Sequence, residues 1–157
     1  MKVISILQPW ASLVVLGHKK IETRSWQTKH RGPLLIHASA AKKPMSRSMM
    51  LDFQQEFFDL QLPKYETLPF GAIIGSVKVM EILPTETILK IEENKYAISV
   101  NVIRHLTWQF SKMEETFGDY SPRRFGWRLK DPLRFEKPTP AKGKLSIWEF
   151  DESLLIK

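Results

Sequence analysis

The sequence predicts an α+β fold: a curved or closed, mostly antiparallel sheet with two or three flanking helices. Three observations lead there. The 157 residues are 43% hydrophobic and 26% charged, an ordinary globular composition that suits one domain over 1–157. Five or six segments read as strands, by period-two alternation or by β-branched residues. Helical spacing recurs in two or three stretches set off by proline or glycine.

In chain order, Lys2 to Leu7 reads as a first strand through Val3, Ile4 and Ile6. A two-turn helix follows. Pro9 suits its first turn, Trp10, Leu13, Val14 and Leu16 form its apolar face, and Gly17 closes it. Lys20 to Trp26 has period two, placing Ile21, Thr23 and Ser25 on one face and Glu22, Arg24 and Trp26 on the other. Pro33 to Ala38 is the next strand, and the short gap predicts that it pairs with the one before. Ser46 to Leu62 carries Met49, Met50, Phe53, Phe57 and Leu60 at helical spacing, with Pro63 as its stop. Phe70 to Leu83 is a long strand in which Gly71 and Gly75 permit a bulge or a close backbone approach. Thr85 to Ile91 suggests a short helix, and Lys95 to Phe110 fits either helix or strand. Phe125 to Leu129 and Leu145 to Phe150 complete the strands, and Pro132 to Gly143 reads as a linker between them.

The charge is uneven. Overall there are 24 Lys and Arg against 17 Asp and Glu, a formal +7. Residues 1–43 hold eight cations and one Glu, residues 46–122 are acidic by eleven to seven, and residues 123–144 hold eight cations and two acids. Two basic segments thus flank an acidic middle, and they form one polyanion-binding face only if the fold brings them together.

Several chemistries are disfavoured. The chain has no cysteine, so disulfide scaffolds, thiolate metal sites and cysteine nucleophiles are excluded. His18, His30, His37 and His105 have no metal-ligand spacing, and no bound metal or cofactor is expected. Neither a P-loop nor a dinucleotide fingerprint occurs, and no GxSxG elbow supports a serine nucleophile. The apolar run Val3 to Leu7 is too short for a signal-peptide core and no run approaches a membrane span, so the expected location is cytoplasmic.

Polar and aromatic groups concentrate in two places. The first is Gln8-Pro9-Trp10, then Gly17 to Trp26, then His30-Arg31-Gly32. Lys19, Glu22 and Arg24 are a cation, a carboxylate and a second cation that can converge on a phosphate or a base edge. Arginine binds bidentately, lysine acts as a point charge, and glutamate accepts from an exocyclic amine. Trp10 and Trp26 offer stacking surfaces worth about 1–3 kcal/mol per base. The second cluster runs from Phe117 to Trp127, where Asp119, Tyr120 and Ser121 offer hydrogen bonds and Arg123 and Arg124 a second cationic wall. A purely structural reading stands beside this one: Trp10, Tyr120 and Trp127 as core, and Glu22 with Arg24 as a surface ion pair.

Gln8 to Leu13, the GxKxxExRSW pattern from Gly17 to Trp26, His30-Arg31-Gly32, Lys42-Lys43-Pro44 and the segment Gly143 to Trp148 together resemble the ASCH domain family. The likeness is to the branch with a Gln-Pro-Trp start, found in a eukaryotic signal cointegrator and in prokaryotic and phage proteins. It implies a β-barrel similar to the PUA RNA-binding domain, with a cleft lined by the GxKxxxxR residues, here Gly17, Lys19 and Arg24. It also implies RNA, single-stranded DNA or a modified nucleoside as ligand. With the two clusters above, the expected ligand-contacting set is Gln8, Trp10, Lys19, Glu22, Arg24, Trp26, Arg31, Asp119, Tyr120, Ser121, Arg123 and Arg124.

Some small family members remove the acetyl group of N4-acetylcytidine, using a motif lysine, a threonine three residues later and a more distant glutamate. Here Lys19 is present, but Glu22 occupies the threonine position and Thr23 is displaced by one, onto the opposite strand face. Another member resembles a ribonuclease. Three readings follow: a binding module, a hydrolase in the same cleft with Lys19 as base and Glu22 as proton shuttle, and a basic surface for an acidic protein partner.

Overall fold

A computed structural model describes residues 1–42, 63–93 and 111–156. The expected helix over 46–62 and the ambiguous segment 95–110 lie outside the described residues. Six strands form a single mixed sheet that curls into a half-barrel: β1 (Lys2–Ile6), β2 (Ile21–Arg24), β3 (Gly32–Ala38), β4 (Ala72–Pro84), β5 (Phe125–Pro140) and β6 (Ile147–Glu149). Their spatial order is β2-β5-β4-β3-β1-β6. Among the described strands only β1 and β3 run parallel, with Ser5 opposite His37, and the other pairs are antiparallel. Three helices are described: α1 (Trp10–Val15), α2 (Thr85–Glu93) and α3 (Lys112–Phe117).

Period-two burial explains why the sheet is covered on both faces. Ile4, Ile6, Leu34, Ile36 and Ala38 point inward, where they meet Ala11, Val14 and Val15 of α1 and the fully buried Trp127. The alternate residues Val3, Leu35 and Ile73 point outward and are covered by Trp148, Phe135, Phe150 and Leu155. A third cluster joins Ile21 of β2 to Ile88 and Ile91 of α2 and to Tyr120.

The first helix is short and needs help at both ends. The Gln8–Pro9 peptide is cis, and Gln8 is buried there, accepting from the Ser12 amide at 3.1 Å and donating to the Pro69 carbonyl at 2.8 Å. At the other end Gly17, with φ +82°, turns the chain so that the His18 and Lys19 amides both reach the Leu13 carbonyl. This delivers Lys19 to the start of β2.

Three expectations change. β2 and β3 are not neighbours: β2 pairs with β5, Glu22 standing opposite Trp127, whereas β3 pairs with β1 and β4. The connection from Ser25 to Arg31 has no tight hairpin turn, so it carries the chain elsewhere in the sheet. The expected linker Pro132–Gly143 is mostly strand, since β5 continues to Pro140. Its prolines are tolerated because, among the described residues, β2 covers only Phe125 to Arg128 and leaves the rest of β5 an edge, and because the β4–β5 ladder is repeatedly bulged. Asp131, at φ +49°, lies in that irregular stretch. Lastly, α3 adds a helix to those the sequence predicts. Ser111 caps it by accepting from the Glu114 amide at 3.2 Å, and the Ser-x-x-Glu spacing is a legible helix start.

Gly75 shows why β4 bends. It sits at a register shift against β5, and a Cβ there would run into the Leu133 carbonyl oxygen and lie 2.7 Å from Val15 Cγ1. Gly75→Ala should therefore lower the unfolding free energy by about 1–3 kcal/mol, read by denaturant titration, through overpacking against backbone. An unchanged midpoint would contradict this close approach.

Candidate functional site

The curl brings β2, at one edge of the sheet, back toward β1. β6 covers β1 only from Lys2 to Ile4, so the Ser5 carbonyl lies one residue past that register. Arg24 Nη2 takes it at 2.8 Å. The Arg24 Nε lies 2.9 Å from Glu22 Oε1, and Glu22 Oε2 lies 3.7 Å from Lys19 Nζ. Lys19 and Glu22 are buried and Arg24 is partly so, giving a row of alternating charge between α1 and the open end of the half-barrel.

Lys19 is the innermost member. Its ammonium donates to the Ile21 carbonyl, and its charged neighbours are the carboxylates of Glu22 and Glu114. Glu114, from α3, accepts from the amides of Lys20 and Ile21 and so pins the start of β2. Burial pushes the Glu114 carboxyl above the usual carboxylate range, against the opposing pull of Lys19 and the two amides. Burial, with the Glu114 and Glu22 carboxylates, likewise pushes the Tyr120 phenol up.

In front of this row a cleft of about 860 Å3 opens between β1, β2, the α3–β5 connection and the β5–β6 connection. Of the residues singled out from the sequence, Trp10, Glu22, Arg24, Trp26, Asp119 and Arg124 line it. Thr23, also lining, accepts from the Asp119 amide at 2.9 Å. Arg124 donates from Nε to the Asp119 carbonyl at 3.2 Å and lies 3.3 Å from its carboxylate. The Ser121 hydroxyl and amide hold Asp119 well below the usual carboxylate range, with help from Arg124. Trp26 packs edge-on against Trp127, centroids 4.8 Å apart.

The other expected residues lie elsewhere. Gln8 is spent on α1 and the Pro69 carbonyl. Lys19, with Gly17, lines a smaller cavity behind the sheet. Arg31 is exposed and folds back on the Thr28 and His30 carbonyls. Tyr120 is in the third hydrophobic cluster, and the Ser121 carbonyl receives the Thr85 hydroxyl. Arg123, at φ +64°, is exposed and tied through its amide to Glu86.

Sequence reasoning missed part of the wall. Ser5, His37, Ser39, Lys142, Lys144 and Ser146 also line the cleft. His37 was legible as the one polar side chain in the buried run Leu34 to Ala38. Lys142 and Lys144 are legible only as part of the basic segment, because their stretch reads as linker. The cleft thus carries Arg24, Arg124, Lys142 and Lys144 against Glu22 and Asp119, drawn from both ends of the chain. Among the described residues, no group of His, Asp and Glu is arranged to hold a metal ion.

The ASCH domain family model matches residues 4–139. The chain belongs to the ASCH domain family. It is similar to activating signal cointegrator 1 of Homo sapiens, 29% identical over 96% of this chain, and to that of Mus musculus, 28% identical over the same share. The chain spans only 22% of the length of those relatives. Among solved structures it resembles the ASCH protein of Zymomonas mobilis, with TM-score 0.52 and 14% identity over 98% of this chain and 89% of that one. A point mutant of the same protein aligns with TM-score 0.51 and 13% identity, over 98% and 91% of the two chains. These neighbours share the ASCH half-barrel. No helix among the described residues is long and apolar enough to cross a membrane.

Glu114 gives this ASCH chain a pH signature. Its folded carboxyl titrates above the ordinary value of 4.5, so the folded state binds the extra proton and stability falls as pH rises through that window. In Glu114→Gln the contribution is gone. The melting temperature of the variant minus that of wild type should rise with pH above about 4.5 and then level off. A difference that is flat across pH 4 to 8 would contradict the assignment.

Proposed function

We propose that this ASCH chain binds RNA or single-stranded DNA in the cleft, holding one unstacked or modified base between the tryptophans while cations contact the flanking phosphates. The observation that carries this reading is the meeting of Arg24, from the basic N-terminal segment, with Arg124, from the basic C-terminal one, on a single cleft flanked by Trp10 and Trp26. Two guanidiniums suit phosphate oxygens or base edges. The indole surfaces suit stacking, which is tolerant of sequence. Glu22 can accept from an exocyclic amine, and Arg24 holds its carboxylate in place. The volume lies within the range of about 300–1,000 Å3 common to small-ligand sites, enough for a nucleoside with its phosphates.

A hydrolase built on Lys19 fits less well. Its ammonium is turned to the Ile21 carbonyl behind Glu22 and does not line the cleft, so it is out of reach of a substrate there. N4-acetylcytidine and labelled RNA should accordingly be left intact.

Fluorescence anisotropy with labelled RNA and DNA 12-mers tests the binding reading. For single strands the slope of log K against log salt should be roughly −0.7 per neutralised phosphate. Arg124→Ala should weaken binding and make that slope shallower by about 0.7. Arg124 is the better probe because Arg24 also bridges β2 to β1. Binding that ignores both salt and Arg124→Ala would overturn the reading, as would turnover of N4-acetylcytidine lost in Glu22→Gln.

A further inference from the structure

On the far side of the cleft the β5–β6 connection is held with unusual firmness for a loop whose residues Lys142 to Ser146 are all exposed. Its anchors are two buried or half-buried side chains on the outer face of the sheet, set opposite each other by the parallel β1–β3 register. His37 is 1% exposed and places Nε2 3.0 Å from the Ala141 carbonyl. Its Nδ1 lies 3.1 Å from the Ser5 hydroxyl. Ser5 also donates to the Lys144 carbonyl at 3.2 Å and accepts from Trp148 Nε1 at 3.2 Å. The backbone is thus gripped at Ala141 and at Lys144, the two ends of Ala-Lys-Gly-Lys.

Gly143 lies between the grips, against the imidazole. A Cβ there would come within 2.6 Å of His37 Cε1 and 3.0 Å of Ser5 Oγ. Gly143 is not among the residues with positive φ, so closeness rather than backbone conformation calls for glycine here. Past the second grip, Ser146 turns the chain at φ +58° into β6. Two lysines are therefore held on one rim of the cleft, Lys144 with its ammonium 5.8 Å from the Trp148 ring centroid. Beside them stands Leu145, 94% exposed. A single exposed leucine is ordinary on a protein surface. One presented next to two lysines, on an anchored loop that borders a cleft, is a fitting wedge against a base.

We propose that the Lys142–Ser146 loop is a second, preorganised contact for a nucleic-acid strand: Lys142 and Lys144 take backbone phosphates, and Leu145 presses on the base that leaves the cleft. This rests on the nucleic-acid reading above and adds a direction to it. The strand runs from the Arg24 and Arg124 wall across the opening to the lysine rim. Recognition at the rim is of charge and base surface, not of sequence, because lysine meets phosphate as a point charge and leucine offers no hydrogen bond. The ordering of the loop precedes binding, so little entropy is lost when the strand arrives.

The experiment is a salt titration with a single-stranded RNA 12-mer carrying one 2-aminopurine. It compares wild type, Lys142→Ala with Lys144→Ala, Leu145→Ala and Gly143→Ala, with Arg124→Ala as the reference. The double lysine variant should make the slope shallower by about 1.4, two phosphates' worth at 0.7 each. Leu145→Ala should leave the slope unchanged, weaken binding several-fold and remove the change in 2-aminopurine emission on binding. Gly143→Ala deletes no charge, yet should weaken binding about as much as the double variant by pushing the rim off His37; circular dichroism and thermal melting check that the sheet remains. If Arg124→Ala loses affinity while the double lysine variant and Leu145→Ala bind as wild type, the cleft reading stands and the loop proposal falls. If wild type itself does not bind the strand, both fall.

Discussion

The cleft depends on a row of three charges, Lys19, Glu22 and Arg24, placed where the curled sheet brings β2 back to β1. Burying such groups is expensive: each ion loses several kcal/mol of solvation even after the protein relaxes. Alternation of sign and the carbonyls of Ile21 and Ser5 offset part of that loss. Removing one member leaves the next uncompensated, a change worth about 3–5 kcal/mol in buried pairs. The row fixes geometry more than it adds stability. Arg24 ties two strands that are far apart in the sheet order, and its position fixes the Glu22 carboxylate that lines the cleft.

The same logic explains why Glu114 matters, although it lies on a helix the sequence reading had not marked. Its carboxylate accepts from the amides of Lys20 and Ile21, the residue before β2 and the first residue in it. α3 thereby holds β2 in register, and β2 holds Arg24. The α3–β5 connection then places Asp119 and Arg124 on the same opening through the Thr23 hydroxyl and carbonyl. Local hydrogen bonds within Asp119, Ser121 and Arg124 keep that wall rigid without a large core behind it.

Much of this was legible. Alternation marked β1 and β2, breakers marked α1, and the Gln-Pro-Trp start with the Gly17 to Trp26 pattern identified the family. Placing Glu22 and Arg24 on one strand face was correct because period two leaves no choice. What failed was non-local. Nothing in the sequence of β2 says that its partner is β5, since pairing is decided by which strands the whole sheet brings together. Prolines at 132, 138 and 140 read as a linker because edge position and bulges, which make them tolerable, are properties of the assembled sheet. Lys19 looked like a ligand contact because a lysine is normally exposed. Two carboxylates and a carbonyl hold it inside instead. His37 lacks metal spacing in the sequence, and its role as a loop anchor follows only from the register that puts Ser5 opposite it.

The +7 charge ends as a local feature. Its two basic segments meet because β1 pairs with β6 and β2 with β5, which sets N-terminal and C-terminal residues around one opening. The most direct measurement of that claim is amide and indole chemical-shift mapping while a short single-stranded RNA is added to 15N-labelled protein. The account predicts shifts gathered at Ser5, Glu22 to Trp26, Thr116 to Asp119 and Lys142 to Ser146, with the Trp10 and Trp26 indoles among them. Shifts gathered on the opposite side, around Gly17, Lys19 and Lys130, or an unperturbed spectrum at saturating RNA, would contradict it.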